Sequence, residues 1–161
     1  MLNLRLLLEL LSNLGYIGAF LAGILGSSSL FVSFFPSYIV IALLGANLNP
    51  LLVGFLGGLG AGVGQFLHYY IGLGGRYLMP EKWKGKLDDW RKKVDKYGVL
   101  LIFVFAATPL TPDDVIWIPL GAMRYPKLKA LIAAISGKVV LNLIYAYAGY
   151  FGIRHLIHLF R

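Results

Sequence analysis

Two long runs of apolar residues set the main pattern of the chain. Residues 51–75 contain no charged residue, and residues 128–153 carry one charge in their interior, Lys138, with Lys129 near their start. A helix needs about 20 apolar residues to cross a hydrocarbon layer about 30 Å thick. Each run therefore predicts one membrane-spanning helix.

Two other apolar stretches, residues 15–46 and 98–122, are interrupted by prolines. Proline removes a backbone donor and clashes with the preceding helical turn, which breaks a helix. Such a segment can enter a bilayer, break and return where other helices bury the freed backbone groups. We predict two re-entrant helical hairpins. The prolines are Pro36 in the first stretch and Pro109, Pro112 and Pro119 in the second, and we place the hairpin breaks at Pro36, Pro109 and Pro112.

The chain also nearly repeats itself 76 positions later. Residues 35–54, FPSYIVIALLGANLNPLLVG, align with residues 111–130, TPDDVIWIPLGAMRYPKLKA. The identical pairs include Pro36 and Pro112, Leu44 and Leu120, Gly45 and Gly121, Ala46 and Ala122, and Pro50 and Pro126. The alignment continues without a gap to Tyr69 and Tyr145. Repeated broken helices in lipid are typical of transporters.

These elements predict an all-α integral membrane protein built as an inverted repeat of a re-entrant hairpin plus a transmembrane helix, with amphipathic interfacial helices. The composition agrees, because 58% of the residues are hydrophobic, 14% are charged and the mean hydropathy is +0.75, outside the range of ordinary soluble domains. The absence of cysteine excludes disulfides and thiol chemistry. We expect one membrane domain over residues 1–161, with repeat 1 at about 1–75, a basic connector at 76–97, repeat 2 at about 98–153 and a short tail at 154–161.

Positive charge is concentrated in the connector. Eight of the fifteen lysines and arginines lie within residues 76–96, and Arg124, Lys127 and Lys129 follow the second hairpin. If that hairpin returns to its side of entry, all eleven share one side, which the positive-inside rule makes cytoplasmic. We therefore predict a cytoplasmic connector in a cell-membrane protein with both termini outside. Amphipathic patterns also predict interfacial helices, MLNLRLLLELLSNLG at the start and EKWKGKLDDWRKKVDKYG in the connector, the latter near anionic headgroups.

Asp113 and Asp114 are the acids inside an apolar stretch. A charge near the bilayer centre costs on the order of 3 kcal/mol, so such residues usually face a cavity and serve a function, here proton or cation coupling. The alternative is helix capping, because Thr111 and Pro112 precede the two acids in the order of a helix start. Both interpretations stay open.

A set of polar residues in apolar surroundings forms a candidate headgroup path. A half-helix beginning near Pro36 would present free N–H groups and a positive dipole end, which attract phosphate, although the nearby serines could instead satisfy broken backbone. Lys138 needs an acid such as Asp113 or Asp114, a phosphate, or a route to the surface. Glycines at 54, 58 and 62 predict close helix packing. The predicted path consists of Ser29, Ser33, Ser37, Thr108, Thr111, Gln65, Lys138 and Asn142.

Several motifs together resemble the DedA family, also called the VTT or SNARE-associated superfamily. They are GAGVGQFLHYYIGLGG at 60–75, KYGVLLIFVFAATPLTPDD at 96–114, PLGAMRYPKLKALIAAISGK at 119–138 and AGYFG at 148–152. The resemblance implies two re-entrant hairpins, an inverted repeat and lipid movement between leaflets, including polyprenyl-phosphate recycling in prokaryotes and phospholipid scrambling in eukaryotic relatives. Many members carry an acid at the first break and arginines at the second, whereas this chain has SSSLFVSFFPS and ATPLTPDD. The second motif resembles the small YqaA-like branch.

The leading functional hypothesis is a lipid translocase, a flippase or scramblase, for polyprenyl phosphate or an anionic phospholipid, with proton coupling through Asp113 and Asp114 as an open addition. Two alternatives are a proton-coupled exporter of small solutes or drugs and a non-transporting scaffold for membrane assembly. We expect no enzyme, because no nucleophile with a paired base and no cluster at metal spacing stands out. No cofactor, metal or nucleic-acid partner is expected, and homo-oligomerisation stays open.

Overall fold

The structure, a computed structural model, describes residue 10 and residues 13–28, 37–108 and 114–159, with the side chains of residues 114, 115, 153, 154 and 156–159 outside the description. Every regular element in these ranges is an α-helix. The helices are α1 Gly15–Ser27, α2 Ser37–Asn47, α3 Pro50–Tyr77, α4 Glu81–Val94, α5 Gly98–Ala107, α6 Asp114–Ala122 and α7 Lys127–Leu159.

The two long helices, α3 and α7, agree with the predicted spanning segments. Residues 50–77 and 127–152 are long and apolar enough to cross a membrane. Helix α3 begins at a local signal, because Asn49 caps it by accepting the Leu51 N–H at 3.0 Å and Pro50 occupies the first turn. Helix α7 continues to Leu159, so most of the expected C-terminal tail extends this helix. Apolar residues set the length of a span, whereas backbone hydrogen bonds set the length of the helix.

The four short apolar helices divide between the two long ones. Helices α1 and α6 pack on α3, and α2 and α5 pack on α7. Each long helix thus carries one short helix from its own half of the sequence and one from the other half. Pro119, expected to interrupt its stretch, lies inside α6 as the sixth residue of that helix. Its ring nitrogen has no N–H to donate to the carbonyl four residues earlier, so α6 continues through this position with one backbone hydrogen bond fewer.

Helices α3 and α7 cross in antiparallel directions through small residues. A methyl group at Gly54 would contact the backbone of Leu143, one at Gly58 would contact Val139, and one at Gly62 would contact Ile135. Residue numbers rise on one helix as they fall on the other, which makes the crossing antiparallel. The predicted close packing at these glycines is confirmed.

The same backbone contacts occur twice in the molecule. A side chain at Gly60 would collide with the carbonyl oxygen of Phe20, and one at Gly137 would crowd that of Phe103. At the other contacts, Gly72 lies against the carbonyl of Ile118 and Gly149 against that of Ala42. The contacting glycines of the two long helices are 77 positions apart, one more than the offset of 76 in the gap-free alignment. In the sequence, the match of Tyr69 with Tyr145 favours the offset of 76, but the backbone contacts of the glycines match at 77.

Two separate apolar cores lie at the two ends of the long-helix pair. The first contains small and aliphatic residues, whereas the second contains large aromatic residues in addition to small and aliphatic ones. The first core consists of Ala19, Ala22, Val40, Ile41, Leu44, Val53 and Ala146. The second consists of Tyr69, Ile102, Trp117, Leu120, Met123, Tyr125, Ala130, Ala133 and Ala134.

Candidate functional site

Away from their ends, the two long helices bury four polar side chains. Gln65 and His68 of α3 are fully buried, and Lys138 and Asn142 of α7 are 8% and 7% exposed. Gln65 and Lys138 lie near the middle of their helices, far from the ends of the apolar segments. Polar groups at this depth are costly in lipid and usually face a protein interior or a cavity. The four side chains therefore form the candidate site, which we call the midspan polar cluster.

Asn142 shows how the chain creates room for a polar group at the helix crossing. Its Nδ2 donates to the Lys138 carbonyl at 2.8 Å. A methyl group at Gly57 would lie 3.2 Å from the Asn142 Oδ1 and closer still to the side chain of Ile41. The amide thus lies where α2, α3 and α7 meet, because a glycine on α3 leaves space for it. Lys138 lies one turn away on α7.

The 77-residue offset pairs the polar residues as well as the glycines. It relates Gln65 to Asn142, so an amide occupies the matching position on each long helix. It relates Lys138 to Ala61, so the cation has no counterpart in the first half. His68, which lies outside the predicted path, is also fully buried. Its signal in the sequence was its spacing of three residues from Gln65, which places both on one helix face.

Two hydroxyl residues of the predicted path are described, Ser37 and Thr108. Thr108 Oγ1 donates to the Val104 carbonyl at 2.9 Å, and Ser28, which is not part of the predicted path, makes a similar bond from its Oγ to the Ile24 carbonyl at 2.6 Å. Ser37 lies at the start of α2 against Gly26 of α1. These contacts match the alternative in which hydroxyls satisfy backbone groups near a helix end.

Several predicted residues lie outside the described part of the chain. Helix α6 begins at Asp114, but the position of its side chain is not described, so capping and proton coupling both stay predictions. The residues outside the description are Ser29, Ser33, Pro36, Pro109, Thr111, Pro112 and Asp113. Within the described ranges, no group of three His, Asp or Glu side chains could hold a metal ion.

Arg76 at the end of α3 was assigned to the basic connector, but it is buried. Its Nη1 donates to the Ala122 carbonyl at 2.8 Å, and its Nη2 donates to Asp88 Oδ2 at 2.7 Å. One guanidinium therefore joins the ends of α3 and α6 to helix α4. The hydrogen bond from Arg76 holds the pKa of the Asp88 carboxyl below its ordinary value. No pattern in the sequence indicates this role, because Ala122 is 46 residues away and contributes only a backbone oxygen.

Helix α4 is amphipathic, as its sequence pattern predicted, with the apolar side chains of Trp83, Leu87, Trp90 and Val94 on one face. Leu87 and Val94 pack on the second core, and Trp83 and Trp90 beside them are 57% and 65% exposed. Between this face of α4 and the end of α6 lies a groove of about 610 Å³. We call it the α4–α6 groove, and it is lined by Trp83, Lys86, Leu87, Asp89, Trp90, Lys93, Pro119 and Met123.

Comparisons with known proteins agree with this architecture and confirm the resemblance found in the sequence. The family model described as the VTT domain matches residues 35–151. Undecaprenyl phosphate transporter A of Bacillus subtilis (strain 168) is 29% identical over 157 residues, which cover 89% of this chain and 74% of that protein. No solved structure matches the chain. With more than half of its length matched and two apolar helices of spanning length, the chain belongs to the VTT domain, or DedA, family of membrane proteins.

Proposed function

We propose that the protein is a membrane transporter that moves an anionic lipid between the two leaflets, with an isoprenyl phosphate as the first candidate. The observation that carries this proposal is the midspan polar cluster, which places a lysine and two amides where two antiparallel apolar helices cross. The relative that is named as an undecaprenyl phosphate transporter supports the substrate class. No chemical step is needed, so the protein acts as a transporter and not as an enzyme.

We also propose that the two halves of the chain are inverted repeats, each with a re-entrant hairpin formed by a pair of short helices. Helices of 10 to 13 residues such as α1, α2 and α5 are too short to span a bilayer alone. The doubled glycine contacts support a two-fold relation, and the antiparallel crossing of α3 and α7 supports opposite orientations of the halves. Inverted repeats that meet at the midplane are a common basis for alternating access.

In this proposal Lys138 is the residue that compensates the charge of the moving headgroup. A lysine is a compact positive charge that suits phosphate. Lys138 lies near the middle of α7, at a depth where the lipid tails provide no polar partner for a phosphate. The amides of Gln65 and Asn142 would contact the headgroup at two different depths, because these two residues lie on opposite sides of the antiparallel crossing. The hydrocarbon chain would stay in the bilayer, because many of the apolar side chains on the helix surfaces are exposed.

A reconstituted system tests this function directly. Proteoliposomes carry an isoprenyl phosphate with a fluorophore on its chain, and an impermeant quencher reports exposure of the probe in the outer leaflet. We expect the wild type to accelerate exposure and Lys138→Met to reduce the rate at least about tenfold, since losing a charge-assisted contact worth about 2 kcal/mol slows a rate by about 30-fold. The matched control Lys129→Met, an exposed lysine on the same helix, should keep the wild-type rate.

The same assay separates the other hypotheses. A scaffold would leave the lipid probe unexposed, and an exporter would move a water-soluble solute in response to a pH gradient while leaving the lipid in place. Equal transport rates for the wild type and Lys138→Met would show that Lys138 does not take part in moving the headgroup. Proton coupling through Asp113 and Asp114 predicts that Asn substitutions of both change the pH dependence of transport, whereas capping alone predicts an unchanged pH profile.

A further inference from the structure

Helix α4 carries a positively charged outer face beside the groove that it forms with α6. Lys86 and Lys93 both line this groove and lie two helical turns apart on one face. The groove also contains one acid, Asp89, which pairs with Lys92 at 3.2 Å. Two ammonium groups therefore face the groove with the charge of the nearby carboxylate already matched by another lysine.

The walls of the groove are apolar and aromatic. Trp83 and Trp90 stand on the same face of α4 as the two lysines, and Met123 and Pro119 contribute from the opposite wall. The Lys86 ammonium lies 4.9 Å from the centre of the Trp83 ring, a cation–π distance that restricts where its charge lies. A volume of about 610 Å³ is within the range of small-ligand pockets, about 300–1,000 Å³.

The helix that carries these groups is fixed to the rest of the protein. Leu87 and Val94 pack on the second core, and Asp88 is bound by the buried Arg76, which also holds the end of α6. Both walls of the groove are thus joined through one guanidinium. A surface helix lying loosely on headgroups would not hold two lysines and two tryptophans at a constant distance from α6.

We propose that the α4–α6 groove is a docking site for the phosphate-monoester headgroup of a membrane lipid, with Lys86 and Lys93 binding the phosphate and the tryptophans contacting the first segment of the chain. The proposal rests on the proposed lipid transport and adds the place where the lipid first binds. Charge complementarity selects a phosphate monoester, with close to two negative charges, over a zwitterionic headgroup that brings its own cation. Tryptophan belongs at this depth, since its ring prefers the membrane interface.

Binding can be measured separately from transport. The full-length protein is placed in nanodiscs of phosphatidylcholine, and retention of radiolabelled farnesyl phosphate is measured against empty nanodiscs. The test variant is Lys86→Gln with Lys93→Gln. The matched control is Lys82→Gln with Lys96→Gln, which removes the same charge from exposed lysines near the two ends of α4 that do not line the groove.

We expect saturable binding that weakens at least about tenfold in the groove variant and stays within about twofold of wild type in the control, because headgroup attraction per lysine is on the order of 1 kcal/mol and adds up only where the lysines converge. Farnesol and inorganic phosphate should compete poorly, since each provides half of the ligand. Trp90→Ala should weaken farnesyl phosphate binding severalfold.

Two results would overturn the docking site. Equal weakening in both double variants would indicate diffuse attraction to the basic surface, and competition by inorganic phosphate as strong as that by farnesyl phosphate would indicate a site for free anions. The proposed function fails differently: binding that requires Lys86 and Lys93 in a protein with no lipid transport would leave the docking site in place and remove the translocase.

Discussion

The two ends of the long-helix pair share backbone contacts but are fastened in different ways. At both ends a glycine of a short helix lies against a long-helix carbonyl, Gly121 against Tyr69 and Gly45 against Ala146. At the end near α4, Arg76 and a 2.7 Å hydrogen bond from Tyr69 Oη to the Tyr125 carbonyl add strong polar links.

At the opposite end, one polar link between elements is longer. There the Asn49 N–H donates to Tyr16 Oη at 3.3 Å. The 77-residue offset relates Arg76 to Ile153, whose side chain has no donor. Similar backbone contacts thus set where the helices meet at both ends, while single residues differ in how firmly they hold each end. We expect the end near Tyr16 to open more easily than the end near Arg76.

The largest effect is expected where the two ends are alike. Gly45→Val and Gly121→Val would each place a branched side chain where backbone atoms now lie, and overpacking of this kind costs about 1–3 kcal/mol or more. We expect both variants to lower the thermal unfolding midpoint by similar amounts in detergent. Gly74→Ala, at a position with no atoms within 4 Å of an added methyl group, is the matched control. A large difference between the two valine variants would mean that the ends are packed differently.

The next largest effect on the thermal midpoint is expected at Arg76, where the two ends differ. Arg76→Leu would leave the buried Ala122 carbonyl without its donor, at a cost of about 2 kcal/mol. Arg76→Lys should recover only part of this, because an ammonium cannot bind both acceptors in the planar geometry of a guanidinium. The measurement is the thermal midpoint, with α4 mobility followed by a probe at Gly85. A midpoint equal to wild type in Arg76→Leu would show that this end is not fastened by the arginine.

The link through Asp88 should also make this end sensitive to acid. Because Arg76 lowers the folded-state pKa of Asp88, the stabilisation is present above the ordinary aspartate pKa and is lost as the pH falls below it. We expect the difference in thermal midpoint between wild type and Asp88→Asn, clear at pH 7, to shrink below about pH 4. Asp95→Asn, on the longer 4.0 Å pair with Arg91, is the control for loss of a surface carboxylate and should lower the midpoint less than Asp88→Asn at pH 7. A difference that stays constant with pH would contradict the charge interaction.

The smallest effect concerns the weaker end. Tyr16→Phe removes one exposed hydrogen bond of 3.3 Å, and we expect it to cost about 0.5 kcal/mol or less. Tyr69→Phe, at the other end, should cost more, since its bond to Tyr125 is shorter and buried. Comparing the two midpoints measures the asymmetry directly. A larger loss from Tyr16→Phe would reverse the assignment of the firm end.

Much of the fold could be predicted from local pattern, and the rest depends on distant partners. Long apolar runs identified α3 and α7, and the spacing of Gly54, Gly58 and Gly62 identified their contact. The burial of Arg76 could not be predicted, because it follows from two acceptors brought together by the fold. The offset of 77 between equivalent backbone contacts could not be predicted either. It is set by helix packing, whereas the sequence alignment matched Tyr69 with Tyr145 at an offset of 76.

The candidate site could be predicted from the sequence only in part, for the same reason. Gln65, Lys138 and Asn142 stood out as polar residues in apolar runs, and all three are buried. The α4–α6 groove did not stand out, because its lysines belong to a basic connector that topology alone explains. Only the position of Pro119 and Met123 beside α4 turns those charges into one wall of a groove.

The inverted arrangement of the two halves is tested most directly by accessibility from the two membrane faces. The chain has no cysteine, so Leu51→Cys, Gly85→Cys and Lys127→Cys can each be labelled alone with an impermeant thiol reagent in intact cells and in inverted vesicles. All three positions are exposed. We predict that positions 85 and 127 react from one face and position 51 from the other. Labelling of positions 85 and 127 from opposite faces would show that residues 98–122 cross the membrane, and would contradict the inverted repeat.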